Sequence, residues 1–309
     1  MIWTRDSAAA SERCASPARR LLVIFNPAAG RRRRRRLAAV LDGLERQGSE
    51  VALRETASAG DAERVARECG PDIGAVVVAG GDGTINEAIN GLMAREPSSS
   101  PALGIIPIGT TNVLSRDLGI PQQAEALAQL LARGETRNIY VGRANGRHFS
   151  LMCGVGMDAH IVSRTSLRLK KRIGKLAYVV QGLRELVANV PRRYRVEIDR
   201  SEVVEASSVI VTKSRLYGGE FQLAPQAAIG RPELQVCLFL RGGRFSTLVY
   251  VIGMVAGHLD RMPGYRTVTA RAIRIDGPDG DPTQLDGDPG GGLPLEIGLG
   301  EHPLTVIAP

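Results

Sequence analysis

The stretch that decides the fold is AVVVAGGDGTINEAINGLM, residues 75–93. Ala75–Ala79 is a short apolar run with consecutive valines, which is typical of a parallel strand covered on both faces. A glycine-rich turn, Gly80–Thr84, follows it, and an amphipathic helix then places apolar side chains at spacings of three and four. These side chains are Ile85, Ala88, Ile89 and Leu92. The sequence therefore predicts a strand, a turn and a helix in immediate succession.

The residue types of this turn suit a phosphate-bearing ligand. Its three glycines lack a Cβ, so they let backbone N–H groups approach a bulky anion and allow positive φ at no cost. The helix N-terminus supplies further N–H groups and a partial positive charge. Asp82 alone would repel phosphate, which predicts either a Mg²⁺ between the two or a role in orienting a reacting hydroxyl. The alternative is a plain strand-to-helix turn with Asp82 as its cap.

The composition excludes several classes of protein. The 309 residues suffice for two domains, and no apolar run reaches the length of a membrane span. Residues 1–20 lack the apolar segment of a signal peptide, so we expect a disordered tail over residues 1–18. Scattered cysteines and histidines favour a cytoplasmic protein with free thiols over a disulfide or zinc protein. The net charge of +8 favours an anionic partner, but no recognition helix or aromatic-rich basic sheet indicates nucleic acid.

Up to about residue 137, short apolar strands alternate with helices, which predicts a doubly wound parallel sheet. The predicted strands are Leu21–Phe25, Glu50–Arg54, Ala75–Ala79 and Ala102–Ile106. Such sheets bind ligands outside the carboxyl ends of their strands. Three glycine-bearing turns stand at these ends: Asn26–Gly30, Gly80–Thr84 and Gly109–Asn112. The run Arg31–Arg36 opposes the dipole of the first helix, so we expect one or two of these arginines to face a phosphate and the rest to be solvated.

After Gly134 the pattern changes to a mainly antiparallel β domain. Asn145-Gly146 is a strong hairpin signal. Further strands are predicted at Arg193–Ile198, Val203–Lys213, Leu234–Leu240 and Thr267–Ile275, and helices at Ile161–Val190 and Phe245–Leu259. We expect the last two strands, Leu295–Leu299 and Leu304–Ala308, to return to the first domain. The predicted domains are residues 19–137, completed by residues 301–309, and residues 138–300.

These motifs together resemble the bacterial diacylglycerol kinase and sphingosine kinase superfamily of lipid kinases, over almost the whole chain after the tail. The matching segments are FNPAAG (25–30), Thr56 with Gly60-Asp61-Ala62, GGDGTINE (80–87), PIGTTNVLSRDLGIP (107–121), GKLAY (174–178), LYGGEFQLAP (216–225) and LDGD (285–288). NAD kinases share GGDGT, whereas the third loop and the late DGD separate lipid kinases from them. The resemblance implies a three-layer α/β nucleotide-binding domain and a β-sandwich lipid-substrate domain, with ATP and lipid meeting in the cleft between them.

The resemblance also implies an ATP- and Mg²⁺-dependent kinase acting on diacylglycerol or a related lipid. The residues expected to bind ATP are Asn26, Pro27, Ala28, Ala29, Gly30, Thr56, Gly80, Gly81, Asp82, Gly83, Thr84, Ile85, Asn86, Glu87 and Thr110. Asp82 is expected to hold the Mg²⁺ at the phosphates. Asp286 and Asp288 match the positions where the family places the proton acceptor for the lipid hydroxyl. In an extended segment these two carboxylates would point the same way and one pKa would rise, unless they form only a solvated acidic turn.

The sequence departs from the family pattern at three places. Asp288 stands where a longer Glu is usual, and Val113 replaces an acidic residue frequent in the third loop. Bacterial diacylglycerol kinases also carry an Asp-Gly whose Asp holds a structural Mg²⁺, and Arg231-Pro232 stands there instead. Because an arginine cannot ligate Mg²⁺, we expect this structural site to be lost.

Two alternatives and a mode of membrane attachment follow from the sequence. The alternatives are a kinase of NAD or another soluble metabolite, and a non-catalytic, nucleotide-dependent membrane-binding regulator. We expect a cytoplasmic protein, peripheral at the inner face of an anionic membrane and docked through the basic run Arg164–Lys175. The sequence leaves the identity of the lipid and the oligomeric state open.

Overall fold

A computed structural model of the chain describes residues 20–27, 31–164, 192–218 and 221–309. The following predictions fall outside the described residues: the tail over residues 1–18, the end of the first loop at Ala28–Gly30, the part of the helix Ile161–Val190 beyond Arg164 with its GKLAY segment, and the docking run in that part. None of the helices in the described part is long and apolar enough to cross a membrane.

The first domain is a parallel sheet covered by helices, as predicted. Its strands are β1 (Arg20–Phe25), β2 (Glu50–Glu55), β3 (Ala75–Gly80), β4 (Ala102–Pro107), β5 (Thr136–Ile139) and, from the end of the chain, β20 (Leu304–Ile307). The helices are α1 (Arg31–Arg46), α2 (Asp61–Arg67), α3 (Asp82–Met93), α4 (Val113–Asp117) and α5 (Ala124–Arg133). The strand order is β2-β1-β3-β4-β20-β5, and α1 packs on α5 while α2 packs on α3. Right-handed crossovers between the parallel strands place α1 on one face and α2 and α3 on the other, and the contact of α5 with α1 puts it on the face of α1.

The end of the chain completes this sheet. Strand β20 lies parallel to β4 and antiparallel to β5, with Val306 opposite Leu103. The other predicted returning strand, Leu295–Leu299, does not join it. That segment pairs with two antiparallel strands of the second domain, so the prediction for it was wrong. Its burial alternates, as expected for a sandwich strand with one face toward solvent.

The second domain is an antiparallel β-sandwich. Its strands are β6 (Gly142–Ala144), β7 (Arg147–Phe149), β8 (Met152–Val155), β9 (Tyr194–Ile198), β10 (Glu202–Ala206), β11 (Ser208–Thr212), β12 (Leu216–Tyr217), β13 (Phe221–Gln222), β14 (Leu234–Phe239), β15 (Tyr265–Ala270), β16 (Ala272–Asp276), β17 (Pro282–Leu285), β18 (Asp288–Gly292) and β19 (Leu295–Leu299). The two large sheets have the orders β10-β9-β16-β19-β6-β7 and β15-β14-β11-β8-β17-β18. The described residues of this domain form two α-helices, α6 (Met157–Arg164) and α7 (Arg244–Val255). The buried side chains between the sheets form one core.

Two predicted strands of this domain are each divided between the two sheets. The segment predicted as Val203–Lys213 is β10 in one sheet and β11 in the other, with Ser207 between them. The segment predicted as Thr267–Ile275 is likewise β15 and β16, and Asp199 accepts hydrogen bonds from the backbone at the corner between them. Neither corner contains Gly or Pro, so the sequence carries no break signal there.

Two hairpins turn on an Asx-Gly pair. Asn145 and Gly146 connect β6 to β7 with φ values of 45° and 86°, as predicted. Asp286 and Gly287 connect β17 to β18 with φ values of 50° and 83°, where the sequence interpretation expected an extended segment, with a solvated acidic turn as the alternative. The proline and glycines of β18 are tolerated because this strand lies at the edge of its sheet.

Gly91→Ala tests the packing that holds α3 in place. A Cβ on Gly91 would lie 2.2 Å from the carbonyl oxygen of Glu63 and 3.0 Å from the Cβ of Ala66, both on α2. An alanine normally stabilises a helix, whereas here we expect a loss of about 1–3 kcal/mol, because α3 must move away from α2. Thermal unfolding measures the loss, with Gly230→Ala as the control, because a Cβ on Gly230 would meet nothing closer than 3.9 Å. A melting temperature at or above that of the wild type would contradict the packing described.

Candidate active site

Three loops of the first domain meet at the carboxyl ends of neighbouring parallel strands. The amide of Asn26, just after β1, donates to the Thr84 hydroxyl in α3 at 3.2 Å. The backbones of Gly81 and Gly109 touch, since a Cβ on Gly109 would lie 2.4 Å from the Cα of Gly81. Asp82 accepts a 3.4 Å hydrogen bond from the backbone N–H of Leu114 at the start of α4. The predicted turns are therefore assembled into one edge.

The glycines of the turn Gly80–Thr84 allow neighbouring groups to come close to the backbone, and they do not adopt an unusual backbone conformation. None of the three has a positive φ, contrary to one reason the sequence interpretation gave for them. A Cβ on Gly80 would lie 2.7 Å from the Cβ of Thr84, and one on Gly81 would lie 3.3 Å from the Cα of Gly109. A Cβ on Gly83 would lie 3.3 Å from Oδ2 of Asp288, a residue of the second domain. Each glycine thus leaves room for a different neighbour.

The turn between strand and helix is shorter than predicted. Strand β3 runs through Gly80, and α3 begins at Asp82, so Gly81 alone connects them. Asp82, Gly83 and Thr84 are therefore the first turn of a twelve-residue helix. The N–H groups of a first turn have no partner within the helix. They make this edge suitable for phosphate oxygens.

Asp82 connects the second loop to the third. Burial raises the pKa of its carboxyl group, and hydrogen bonds from the Thr111 side chain and from the backbone at Leu114, Val113 and Asn112 oppose that shift. Asn112 itself has a positive φ of 48° and bonds through its amide to both N–H and C=O of Gly109. The third loop is therefore a compact turn whose backbone N–H groups face the Asp82 carboxylate.

The basic run at the start of α1 is divided among several partners. Arg33 donates to the Thr110 hydroxyl at 3.3 Å, which places its guanidinium at the third loop. Arg34 lies over the Phe25 ring, with its Cζ 5.5 Å from the ring centroid. Arg36 donates to Gln122, and burial lowers its pKa. Arg33 is thus the described member of the run that reaches a residue predicted to bind ATP.

Two of the residues predicted to bind ATP have buried side chains. The Ile85 side chain is fully buried in the core, and Asn86 is directed toward Asn90 on the next turn. Thr56 follows β2 at the same edge of the sheet, and its N–H donates to the carbonyl oxygen of Phe25. Glu87 is half-buried on α3. The sequence motif therefore combines residues that face the edge with residues that hold the helix in place.

Asp286 is held in the second domain by four hydrogen bonds. One carboxylate oxygen accepts from the backbone N–H and the hydroxyl of Ser150, at 2.7 and 2.9 Å. The other accepts from the N–H groups of Leu151 and Met152, at 2.9 and 2.8 Å. Burial raises the pKa of Asp286 to about 6, and these hydrogen bonds oppose the shift. The carboxylate fixes the β17–β18 turn against the segment that leads into β8.

Asp288 points elsewhere. It is exposed, and its Oδ2 lies over Gly83 at the start of α3. The expectation that the two carboxylates point the same way was therefore wrong, because the intervening turn sends Asp286 inward and Asp288 toward the first domain. Burial, and not repulsion from Asp288, raises the pKa of Asp286.

Two residues outside any motif, Asp158 and Gln284, support this turn. The side-chain oxygen Oε1 of Gln284 accepts a hydrogen bond from the N–H of Gly287 at 2.8 Å. The side-chain NH₂ group of Gln284 donates to the buried Asp158 at 2.6 Å. Tyr217 donates to the same Asp158 carboxyl group. The sequence interpretation missed Asp158 and Gln284, since they lie 126 positions apart and only the fold brings them together. The Asp-Gly pair after an alternating segment was the available signal for the hairpin.

No group of three or more acidic, histidine or cysteine side chains converges within the described ranges. A metal ion held here would combine ligands from this edge with ligands from a substrate. Mg²⁺ is commonly bound in this way, by one or two carboxylates together with phosphate oxygens. Asp82 in the first domain and Asp288 above the same helix start fit that pattern.

Asp286→Asn tests the structural role of this carboxylate. The introduced NH₂ group must face two donors of Ser150, or the N–H groups of Leu151 and Met152, so one pair loses its acceptor. We expect a loss of about 1–3 kcal/mol in stability, measured by thermal unfolding. Asp288→Asn is the matched control, since the exposed position should leave the melting temperature unchanged. Unchanged melting of Asp286→Asn would show that the four hydrogen bonds do not hold the turn.

Two known domains match consecutive parts of the chain. Residues 20–144 match the diacylglycerol kinase catalytic domain, and residues 152–308 match the YegS C-terminal NAD kinase beta sandwich-like domain. The boundary between the matches falls in the β6–β8 region, close to where the chain leaves the first sheet.

Named relatives match over most of the chain. A protein named diacylglycerol kinase from Bacillus subtilis strain 168 is 31% identical over 279 residues, covering 88% of this chain and 90% of the relative. A second relative, from Enterobacter sp. strain 638, bears the name "Probable lipid kinase YegS-like" and is 29% identical, covering 88% and 91%. The crystal structure of a diacylglycerol kinase from Bacillus anthracis strain Sterne superposes with a TM-score of 0.76 at 25% identity, covering 95% of this chain and 98% of that one. The chain belongs to the diacylglycerol kinase family of lipid kinases.

Proposed function

We propose that the protein transfers the γ-phosphoryl group of ATP to the primary hydroxyl of diacylglycerol or a related lipid, in a Mg²⁺-dependent reaction. The observation that carries this proposal is the Asp288 carboxylate of the second domain, which lies over Gly83 at the start of α3. A carboxylate from one domain and a phosphate-binding edge from the other thus face the same space. That arrangement suits a reaction between a nucleotide and a second substrate.

In the proposed reaction, Asp288 accepts the proton of the lipid hydroxyl while the hydroxyl oxygen attacks the γ-phosphorus. The bond between the γ-phosphorus and the bridging oxygen breaks, and ADP leaves with the electron pair. The N–H groups of the first turn of α3 and the guanidinium of Arg33 would orient the phosphate oxygens. Positioning and charge neutralisation provide most of the catalysis in phosphoryl transfer. Asp286 acts through Asp288, because it fixes the turn from which Asp288 projects.

The residues at this edge fit a Mg²⁺ ion that arrives with the nucleotide. Asp82 would hold it together with the phosphate oxygens, as the sequence predicts. When bound, the ion neutralises the charge that develops on the transferred phosphoryl group. The hydrogen bonds that Asp82 accepts from the third loop fix the direction of its carboxylate before any ligand binds.

An apolar cavity in the second domain supports a lipid acceptor. The cavity has a volume of about 130 Å³ and lies between α7 and the sheet that contains β8, β11 and β14. Its lining includes Ile210, Leu223, Phe239, Tyr250, Val251 and Met254. It also includes Asp158, whose contact with Gln284 connects the cavity wall to the β17–β18 turn. The lining also carries Arg192, Ser208 and Arg241. An acyl chain held against the apolar part would bury apolar surface in the domain that supplies Asp288.

Asp288→Asn tests the proposed proton acceptor. Because an amide cannot accept the lipid proton, turnover should fall by about 10²-fold or more with little change in the affinity for ATP. Asp288→Glu has the length usual in the family and should retain at least wild-type turnover. The assay measures labelled phosphate transferred from ATP to diacylglycerol and to a total lipid extract. An Asn variant with an ordinary rate at neutral pH would remove Asp288 from the mechanism.

The same assay separates the two alternatives. Steady ADP formation with lipid but none with NAD⁺ supports the proposal, and the reverse result supports a metabolite kinase. The match of the second domain to an NAD kinase-like sandwich makes this comparison necessary. Nucleotide binding without any product would indicate a regulatory protein.

Access to a lipid requires a membrane contact, and α7 offers an apolar surface for it. The predicted docking run, Arg164–Lys175, lies outside the described residues apart from the backbone of Arg164. Five large apolar side chains of α7 are exposed by 40–77%: Phe245, Leu248, Val251, Ile252 and Val255. Four of them recur at intervals of three and four residues, so they form one stripe. Val251 also lines the apolar cavity, which makes the stripe continuous with the proposed lipid site.

The charges around α7 favour an anionic membrane surface over an apolar protein partner. The helix contains no acidic residue, and the exposed side chains of Arg241 and Arg244 stand at its start. A helix with an apolar face and flanking cations binds in the plane of a bilayer interface. We therefore include peripheral docking through α7 in the proposed function.

Replacing both Phe245 and Ile252 with Ser tests the docking surface. These two side chains lie outside the cavity lining, so activity on a short-chain soluble diacylglycerol should be unchanged. Partition onto anionic vesicles should fall by about tenfold or more, since each apolar side chain contributes about 1.5–3 kcal/mol when buried. Val203→Ser is the control, because Val203 is exposed by 51% on the other sheet of the sandwich. Full vesicle binding by the double variant would exclude α7 as the docking surface.

A further inference from the structure

Lys213 is the most deeply buried cation in the described part of the chain. Lys213 comes directly after β11, and the residue is 1% exposed. Its ammonium donates to three backbone carbonyl oxygens, those of Ala228, Arg231 and Glu233, at 3.2, 2.5 and 2.7 Å. A lysine has three N–H donors, so the three carbonyl groups satisfy it fully.

The carbonyl groups belong to one tight loop. Within it, the N–H of Arg231 donates to the Ala228 carbonyl, and the N–H of Glu233 donates to the Arg231 carbonyl. Several carbonyl oxygens that converge on one buried point form the environment of a bound cation. Here the ammonium group of Lys213 occupies the position that a bound cation would take.

This loop is also the place where the family pattern implies a structural Mg²⁺. The residues present do not fit that ion, because Arg231-Pro232 replaces the ligating Asp-Gly and a lysine ammonium already occupies the carbonyl oxygens. We propose that Lys213 replaces the structural Mg²⁺ of this loop, so that the fold of the second domain is independent of a bound metal ion. The inference is independent of which acceptor is phosphorylated.

The contacts of Lys213 explain why the loop needs a cation. The Ile229 carbonyl, inside the loop, accepts from the N–H of Tyr140, where the chain crosses between the domains. The N–H of Lys213 donates to the Leu151 carbonyl at 2.8 Å, and the N–H of Leu151 donates to Asp286. Lys213 is therefore a positioning residue between the domain crossing and the turn that carries Asp288. Burial lowers the pKa of Lys213 to about 8, which still leaves the amine mostly protonated at neutral pH.

Thermal unfolding of the full chain without nucleotide tests the proposal. The wild type should melt at the same temperature in excess EDTA and in millimolar MgCl₂, since no ion binds the folded state. Lys213→Met should melt about 5 °C lower or more, because three buried carbonyl groups lose their donor. Arg231→Ala is the matched control, as its side chain is 70% exposed and its ion pair with Glu233 lies at the surface.

Restoring the family's ligand gives a second measurement. A variant combining Lys213→Ala, Arg231→Asp and Pro232→Gly should gain a Mg²⁺-dependent rise in melting temperature that the wild type lacks. Two results would overturn the proposal: a nucleotide-independent stabilisation of the wild type by Mg²⁺, or a Lys213→Met variant that melts like the wild type. The wild-type comparison decides the question even where Lys213→Met does not fold.

Discussion

The proposed active site depends on the set of hydrogen bonds that Asp286 accepts from three consecutive residues, Ser150, Leu151 and Met152. These bonds fix a two-residue turn in which both residues have positive φ. The strand that leaves the turn begins with Asp288, so the direction of its carboxylate follows from the turn. Without this constraint, the second domain would present no defined group to the first.

The part of the first domain that faces the Asp288 carboxylate is made of glycines. Gly83 lies beneath Asp288, and Gly81 lies against Gly109 of the neighbouring loop. The contact with Gly81 requires the absence of a Cβ on Gly109, and a Cβ on Gly83 would crowd the Asp288 carboxylate. The glycine signature is thus a packing requirement between three loops and a second domain, and it leaves the N–H groups of α3 facing the shared space. Asp82 connects the start of α3 to the third loop, because its carboxylate accepts a hydrogen bond from the backbone of that loop.

Much of this could be predicted from the sequence because it is local. The parallel sheet follows from apolar strands that alternate with helices, and the β6–β7 hairpin follows from Asn145-Gly146. The failures concern long-range placement. The corners at Ser207 and Arg271 carry no break residue, and Asp158 meets Gln284 only through the sandwich topology. Lys213 resembled any other lysine in the sequence, since its role depends on carbonyl groups fifteen to twenty positions further along the chain.

The central claim is that nucleotide phosphates and the Asp288 carboxylate share one space at the start of α3. A crystal structure with a non-hydrolysable ATP analogue and Mg²⁺ tests it most directly. The account predicts that the triphosphate lies against the N–H groups of Gly81–Thr84, with its γ-phosphate next to the Asp288 carboxylate and the ion on Asp82. A triphosphate bound away from this helix start, or a γ-phosphate out of reach of Asp288, would contradict it.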